Sequence, residues 1–320
     1  MNINLTFSRK QAVTPLNTAV LFLIFNRLDT TKIVLDSIKE ARPPRIYIAA
    51  DGPRDFVDGE SEKVNIVRDF VVNNIDWECE VKTMFRQGNL GCKLAVSGAI
   101  DWFFENEEMG IILEDDCFPS QSFFTYCEEL LIKYKEQPEV SIISGDGRGT
   151  SVVDIENDYS FIKYPMIWGW ASWRRVWEKY DVNISSWPQK KKSILKEVSN
   201  NRETKRYWRE SLDSVYNHKM DTWDYQLAYL LFMTKTKCIV PKINLIKNVG
   251  FGEGATHTKD INDKNAAIEN YEFYLPLSHA IDLENSKDLE MYYDLNEFYS
   301  KNSIFNRIIN KVHGTLKKIF

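Results

Sequence analysis

The stretch Gly110-Ile-Ile-Leu-Glu-Asp-Asp-Cys-Phe-Pro119 runs an apolar segment directly into three consecutive acids and then ends at a proline. This pattern is typical of a buried strand that delivers carboxylates to the edge of a sheet. Adjacent carboxylates repel one another, so a fold that holds them at a strand end needs a cation to neutralise them. Oxygen ligands favour a hard cation such as Mg2+ or Mn2+, which in turn suits a diphosphate. The alternative is a solvated acidic loop between a strand and a helix.

The composition is that of an ordinary globular protein. The 320 residues are 43% hydrophobic and 27% charged, and the net charge of -5 gives no reason to expect nucleic acid as a partner. The five cysteines form no C-x-x-C pair and the four histidines show no zinc-binding spacing, which argues for a reducing compartment. No apolar run has the length of a signal peptide or a transmembrane helix. We therefore expect a cytoplasmic protein, either free or peripheral to the inner face of the membrane.

The first half of the chain alternates between strand and helix patterns. Continuous or alternating apolar runs predict strands at 18–25, 45–50, 78–85 and 110–113. Amphipathic segments between them predict helices that begin near residues 29, 60 and 92, and Asp29 is expected to cap the first. This alternation predicts an α/β doubly wound domain built from βαβ units.

Polar residues follow three of these strands. They are Asn26-Arg27, Asp51 and the triplet Glu114-Asp115-Asp116. Ligands of open α/β sheets bind beyond the carboxyl ends of the strands. The sequence therefore predicts that these groups converge on one crevice.

The second half of the chain is rich in aromatic side chains. After a predicted helix at 122–137, a strand at 140–144 and a loop at 146–158, the segment 164–173 places Trp168, Trp170 and Trp173 around a glycine. These tryptophans are interpreted either as a sugar-binding wall or as core beneath the site. The basic segment 182–216 is predicted to be helical with a solvated face.

Two acids and one histidine further along are additional candidates. Asp224, between Trp223 and Tyr225, is placed to project into a cleft as a general base. Asp221 is interpreted as the N-cap of the same helix. His257 ends a glycine-rich loop, where it either satisfies a local hydrogen bond or contacts a ligand.

The segment 301–320 predicts a basic amphipathic helix, because its apolar residues follow helical spacing and it contains no acid. Such a helix suits the surface of an anionic bilayer, where it would bring the protein to a lipid-linked acceptor. It suits equally well packing against its own domain or against a second subunit of a homo-oligomer.

Taken in order, these motifs resemble a known family. A strand ending in Asn26-Arg27, a second ending in Ala50-Asp51, the acid triplet and a Trp223-Asp224 step occur in this order in nucleotide-diphosphosugar transferases of the GT-A fold. Over residues 18–258 the chain resembles the N-acetylglucosaminyltransferase I-like group and its bacterial relatives in surface-polysaccharide synthesis. The resemblance implies a GT-A (Rossmann-like), mixed and mostly parallel sheet flanked by helices, with a C-terminal helical extension.

This resemblance also implies a division of the chain and a reaction. The expected parts are an extension at 1–17, a nucleotide-sugar-binding half at 18–145, an acceptor-side half of the same domain at 146–260, and a helical extension at 261–320. The expected activity is a metal-dependent, inverting transfer of a hexosyl or N-acetylhexosaminyl group. The donor is expected to be UDP-linked, and the acceptor a saccharide or lipid-linked saccharide.

The family roles carry over to individual residues of this chain. Asp116 would coordinate Mn2+ or Mg2+ on the donor diphosphate, and Glu114 and Asp115 would approach the ribose and the donor sugar. Asp51 would bind the nucleobase and Arg27 the base or phosphate region. The remaining implied positions are His257 over the diphosphate, Asp224 as general base, and Trp168, Trp170 and Trp223 on the acceptor side.

One departure from the family and two other functions remain open. The animal enzymes carry two adjacent acids after the tryptophan, whereas Trp223-Asp224-Tyr225 has one, which leaves Asp221 as an alternative base. A sugar nucleotidyltransferase is an alternative enzyme, although Phe25-Asn-Arg-Leu-Asp29 lacks the glycines expected after its first strand. The alternative outside enzymes is a non-catalytic carbohydrate-binding protein on a transferase fold.

Overall fold

The computed structural model describes residues 16–252 and 265–299. The strands are β1 (Val20–Ile24), β2 (Arg45–Ala50), β3 (Glu80–Phe85), β4 (Met109–Glu114), β5 (Cys117–Pro119), β6 (Val140–Ser144), β7 (Tyr159–Ile162), β8 (Trp170–Trp173), β9 (Lys237–Pro241) and β10 (Ile246–Asn248). The helices are α1 (Leu28–Ala41), α2 (Glu60–Asn73), α3 (Gly91–Asn106), α4 (Gln121–Lys133), α5 (Arg174–Trp177), α6 (Trp187–Glu197), α7 (Arg202–Tyr216), α8 (Asp224–Thr234) and α9 (Lys287–Asn296).

One eight-stranded sheet, in the order β3-β2-β1-β4-β8-β6-β9-β7, runs through both halves of the chain. Strands β3, β2, β1 and β4 are parallel, and so are β6 and β9. Strand β8 is antiparallel to both β4 and β6, and β7 is antiparallel to β9. The predicted mixed, mostly parallel α/β sheet flanked by helices is therefore confirmed.

Burial explains why the central strands read as continuous apolar runs. Every residue of β1 is buried, and so is every residue of β6 and β8. A strand covered by helices on both faces has no polar side to alternate with. Strand β8 was not predicted, because the aromatic segment that contains it lacks the length and alternation of a typical strand.

Two predicted helix caps are wrong. Helix α1 begins at Leu28, so its N-cap is Arg27 rather than Asp29, and Thr31 Oγ1 donates to the Arg27 carbonyl at 2.6 Å. Helix α8 begins at Asp224 with Trp223 as its N-cap, so Asp221 does not cap it. Helix α1 ends at Ala41, where Arg42 adopts a left-handed conformation directly before Pro43.

The strand order creates a switch point between β1 and β4. From β1 the chain moves outward to β2 and β3, and it then returns to pair β4 with the other side of β1. The register opposes Leu23 to Glu114 and Ile24 to Ala50, so β1, β2 and β4 end at the same edge. Open α/β sheets bind their ligands at such a position.

A second, smaller apolar cluster lies under α6, α7 and α8 and includes Trp187, Leu212 and Tyr229. It anchors the basic helical segment beside the main sheet. Within the ranges described, none of the helices combines the length and apolarity that crossing a bilayer requires. The predictions made for His257 and for residues 301–320 lie outside the described residues.

Candidate functional site

The acid triplet occupies the switch point between β1 and β4. Glu114 is the last residue of β4, and Asp115 and Asp116 form the turn before β5. Asp115 Oδ2 accepts a hydrogen bond from Phe25 N at 3.1 Å and a longer one from Thr31 Oγ1 at 3.5 Å. Asp116 Oδ2 lies 3.9 Å from Arg27 Nη1. The structure thus brings Arg27 and the triplet together, as predicted.

An antiparallel ribbon of β5 and β10 fixes the position of Asp116. Val249 N donates to the Asp116 carbonyl at 2.8 Å, and Arg27 Nη1 donates to the Gly250 carbonyl at 3.0 Å. A Cβ placed on Gly250 would lie 2.2 Å from Asp116 Oδ2, so a side chain there would displace the carboxylate. Gly250 belongs to the glycine-rich segment before His257, and its close approach to Asp116 was not predicted from the sequence.

All three acids of the triplet have raised pKa values. Burial, together with Asp116, Asp115 and Asp224, raises the pKa of Glu114 well above its usual value. Burial and Asp116 raise the pKa of Asp115 to about 7, against the opposing effects of the Phe25 amide and Arg27. Burial also raises the pKa of Asp116, although Cys117 and Arg27 lower it. Burial is the largest cause in all three cases, so these carboxylates are costly to ionise without a counterion.

These residues fit a divalent cation whose coordination is completed by a ligand. The three side chains lie deep in the protein yet remain partly accessible to solvent. In the described ranges no three or more His, Cys, Asp or Glu side chains form a ready-made metal cluster. Mg2+ sites of nucleotide enzymes commonly use one or two carboxylates together with substrate phosphates. Asp116 directly precedes β5 and its side chain is 24% exposed, so it is the carboxylate best placed for that role.

Asp224 approaches the triplet from α8. Its charge is among those that raise the pKa of Glu114. Its Oδ1 accepts a hydrogen bond from Thr222 Oγ1, and Tyr180 OH donates to the Trp223 carbonyl at 2.9 Å beside it. The start of α8 therefore brings one carboxylate close to the acids at the end of β4.

Asp221 has a structural partner that sequence reasoning missed. Its carboxylate accepts hydrogen bonds from Cys92 N and Lys93 N, both at 2.9 Å, in the first turn of α3. Asp221 thus caps α3 from a distant part of the chain. No local pattern reveals such a cap, because the capping residue follows the helix by more than a hundred positions.

Asp51 lies at the end of β2 and binds the loop that precedes α3. Its carboxylate accepts from Leu90 N at 3.0 Å, from Gly91 N at 3.1 Å and from Gly52 N at 2.9 Å. The prediction that Asp51 contacts a nucleobase therefore concerns a carboxylate already held by three backbone amides, and it stays a prediction.

Cys92 lies where four acids from three segments of the chain approach one another. Burial, followed by Glu114, Asp224, Asp221 and Asp51, raises the pKa of its thiol to about 12. The recess at the carboxyl ends of β1, β2 and β4 is hence strongly negative. Sequence reasoning did not single out Cys92, which has no motif around it.

The three tryptophans predicted on the acceptor side separate into two groups. Trp170 and Trp223 are 1% and 3% exposed and stack on each other at 5.7 Å between ring centroids. Their burial corrects the prediction that they face an acceptor, because they form the core beneath the site. Trp168 is partly exposed, with the Arg148 guanidinium 3.8 Å from its ring and Phe251 against its edge. Its contact with an acceptor stays a prediction.

Comparison with known proteins gives remote similarities to solved structures, whereas no protein-family model and no curated protein matches the chain. The mannosyltransferase PcManGT from Pyrobaculum calidifontis in complex with GDP-Man and Mn2+ is 11% identical with a TM-score of 0.37, over 71% of this chain and 76% of that one. UDP-glucose pyrophosphorylase complexed with UDP-glucose is 11% identical with a TM-score of 0.36, over 70% and 90%.

The glycosyltransferase GlyE in Streptococcus pneumoniae TIGR4 is 12% identical with a TM-score of 0.31, over 90% of this chain and 66% of that one. Similarities at this level do not assign a family or an activity. The function has to be inferred from the strand-end recess itself, from its acids and from the side chains around them.

Proposed function

We propose that the protein is a divalent-metal-dependent glycosyltransferase that uses a nucleotide-diphosphate sugar. One observation carries this proposal: the triplet Glu114–Asp116 lies at the switch point with raised pKa values, Arg27 beside it and Asp224 near it. A site with excess negative charge needs a cation, and a cation there suits a diphosphate. Asp224 then supplies the base that transfer to a hydroxyl requires.

The donor side consists of the strand ends. Asp116 would hold Mn2+ or Mg2+, and the bound ion would stabilise the negative charge of the departing nucleoside diphosphate. Arg27 lies beside Asp116 and would contact a phosphate oxygen of the donor. Glu114 and Asp115 would hydrogen-bond the hydroxyls of the ribose and the donor sugar. UDP is the proposed nucleotide, with Asp51 near its base.

The acceptor side is the start of α8. Asp224 would accept the proton of the attacking hydroxyl, while Thr222 holds one carboxylate oxygen in place. Attack from the side opposite the leaving diphosphate inverts the anomeric centre. Asp221 is a weaker candidate for this role, because its carboxylate is engaged by two amides of α3. A saccharide acceptor, in surface-polysaccharide synthesis, is proposed from the family resemblance.

The test compares Asp224→Asn with Asp221→Asn, using UDP release from UDP-sugars in the presence of Mn2+. Asp224→Asn should bind UDP and Mn2+ like the parent and lose turnover by roughly 100-fold or more, since general-base catalysis is of that size. Asp221→Asn should lose about 1 kcal/mol of stability through its helix cap and keep most of its turnover. Full turnover in Asp224→Asn would contradict the assignment of the base.

Two further results would contradict the proposed reaction. Formation of a UDP-sugar from UTP and a sugar 1-phosphate would indicate a nucleotidyltransferase. The absence of any metal-dependent binding of UDP would indicate a non-catalytic carbohydrate-binding protein.

A further inference from the structure

A small recess opens beside Asp224 on the side of α7 and α8. Its volume is about 60 Å3, and Asp224 forms part of its wall. Most of the remaining wall is apolar or aromatic and includes Pro165, Ile167, Tyr207, Tyr225, Ala228 and Phe298. We refer to this recess as the apolar notch.

The shape of the apolar notch is set by buried packing. Trp208 also lines the notch and is 2% exposed. Its ring centroid lies 4.9 Å from that of Phe298 and 4.9 Å from that of Phe232. Ala228 is 1% exposed, and its short side chain leaves the space that a longer one would fill. The apolar notch is therefore preformed, as specific ligand sites commonly are.

A polar pair lies in the wall of the apolar notch. The hydroxyls of Tyr207 and Tyr225 are 2.7 Å apart and hydrogen-bonded to each other. Ser211 forms a side-chain hydrogen bond with each of them as well. A substituent in the notch thus meets apolar walls and a pair of hydroxyl groups, with the Asp224 carboxylate adjacent.

The size of the apolar notch limits what enters it. Its volume is about the volume that two water molecules occupy in the liquid. That is too small for a whole sugar ring and suits a methyl or acetyl group. Apolar walls favour the burial of a methyl group.

We propose that the apolar notch is a specificity subsite that takes a methyl-bearing substituent of the acceptor sugar. The substituent is an acetamido group or the methyl group of a 6-deoxy sugar, next to the hydroxyl that Asp224 deprotonates. This inference rests on the proposed function, because it assumes that Asp224 acts on an acceptor. The enzyme thereby selects acceptors by a group that does not react.

The experiment measures sugar binding by ligand-observed NMR in the presence of UDP and Mn2+. The probes are methyl glycosides of glucose, galactose and mannose, each with its 2-acetamido and its 6-deoxy analogue. In at least one series a methyl-bearing analogue should bind about tenfold more tightly than its parent, as expected for one methyl group in an apolar pocket. Ala228→Leu, which fills the notch, should abolish that advantage and leave UDP binding unchanged.

A second pair of variants guards against misfolding of the Ala228→Leu protein. Ile167 is partly exposed, so Ile167→Ala enlarges the notch with less risk to the core, and it should shift preference from acetamido to propionamido analogues. The matched control is Ile132→Ala, an exposed isoleucine at the end of α4, which should leave the preference unchanged. Tyr225→Phe should weaken binding of the 2-acetamido analogue and leave binding of the 6-deoxy analogue unchanged, because only the acetamido group hydrogen-bonds to the hydroxyl pair.

Two results would overturn the inference. They are equal binding of methyl-bearing and parent sugars in every series, and a preference that survives both Ala228→Leu and Ile167→Ala. The proposed function fails separately, through the absence of metal-dependent UDP binding, a result that does not depend on which sugars the notch prefers.

Discussion

Strands β4 and β6 lie in the same sheet, and the acids that follow them differ in how far a neighbouring cation neutralises them. After β6, Asp146 is buried and pairs with Arg148, whose Nε lies 3.0 and 2.9 Å from the two carboxylate oxygens. After β4, the cation beside the three acids is Arg27, and its Nη1 lies 3.9 Å from Asp116 Oδ2. Asp146 is therefore neutralised within the fold, whereas the triplet is not.

This difference separates acids that stabilise the fold from acids that wait for a ligand. A buried acid paired with a cation is costly to disturb, because removal of either partner leaves an uncompensated charge. Acids with raised pKa values destabilise the folded state when they ionise, and such groups cluster at functional sites. The triplet is thus expected to lower the unfolding free energy of the metal-free protein, whereas Asp146 is expected to raise it.

The largest expected effect is on unfolding free energy. Asp146→Ala should destabilise the protein by about 3 kcal/mol, because it leaves the buried Arg148 guanidinium with the more distant Glu297, 3.8 Å from Nη1, in place of a hydrogen-bonded acid. Asp115→Asn should instead stabilise the metal-free protein at neutral pH by about 1 kcal/mol, since it removes a charge and keeps an oxygen for the Phe25 amide. Urea denaturation with a chelator present measures both. Equal destabilisation by the two variants would erase the proposed distinction.

A smaller effect on unfolding free energy is expected at Glu60, another acid that is paired with a cation near the site. Glu60 accepts from Asn26 Nδ2 at 2.9 Å and from Arg54 N at 2.7 Å, so it connects the ends of β1 and β2. Hydrogen bonds from Arg54 lower the pKa of Glu60. A lowered folded-state pKa stabilises the fold above the unfolded-state value, and that stability is lost as the pH falls through the folded-state value.

Glu60→Gln should accordingly cost about 1–3 kcal/mol at pH 7, as expected for charge-assisted hydrogen bonds. The difference from the parent should shrink as the pH falls below about 4, where the unfolded-state carboxyl begins to protonate. Denaturation midpoints across this range give the comparison. A difference that grows on acidification would contradict the pairing.

The smallest expected effect concerns the thiol within the negative recess. Because burial and four acids raise the pKa of Cys92 to about 12, it should react slowly with iodoacetamide at pH 8. Asp224→Asn removes one of these charges and should raise the alkylation rate by about threefold. Cys79, whose pKa is raised by burial alone, serves as the control in the same protein. Mass spectrometry of the two peptides reads both rates.

Much of the fold follows from the sequence because local patterns carry it. The continuous apolar runs of β1, β2 and β4 reflect burial on both faces, and the acids after β4 mark the strand end. Strand β8 was missed because its residues Trp170–Trp173 look like an aromatic cluster and find their place only by pairing with β4 and β6. Long-range pairing of this kind leaves no local periodicity.

The candidate site was predictable only in part for the same reason. The convergence of Arg27 with the triplet follows from the parallel sheet, whose strand ends share an edge. The cap that Asp221 provides to α3 and the three amides bound by Asp51 depend on contacts between distant segments. The burial of Trp170 and Trp223 depends on their stacking within the core, which composition does not reveal.

The measurement closest to the central claim is calorimetric titration of UDP into the protein with and without Mn2+. Tight binding should require Mn2+, and Asp116→Asn should weaken it by on the order of 100-fold, since loss of even an indirect contact to a metal costs about 10–100-fold. Asp69→Asn, at an exposed position of α2, is the matched control and should bind as the parent does. Equal UDP binding by Asp116→Asn and the parent, or binding that ignores Mn2+, would contradict the claim that the triplet is completed by a cation.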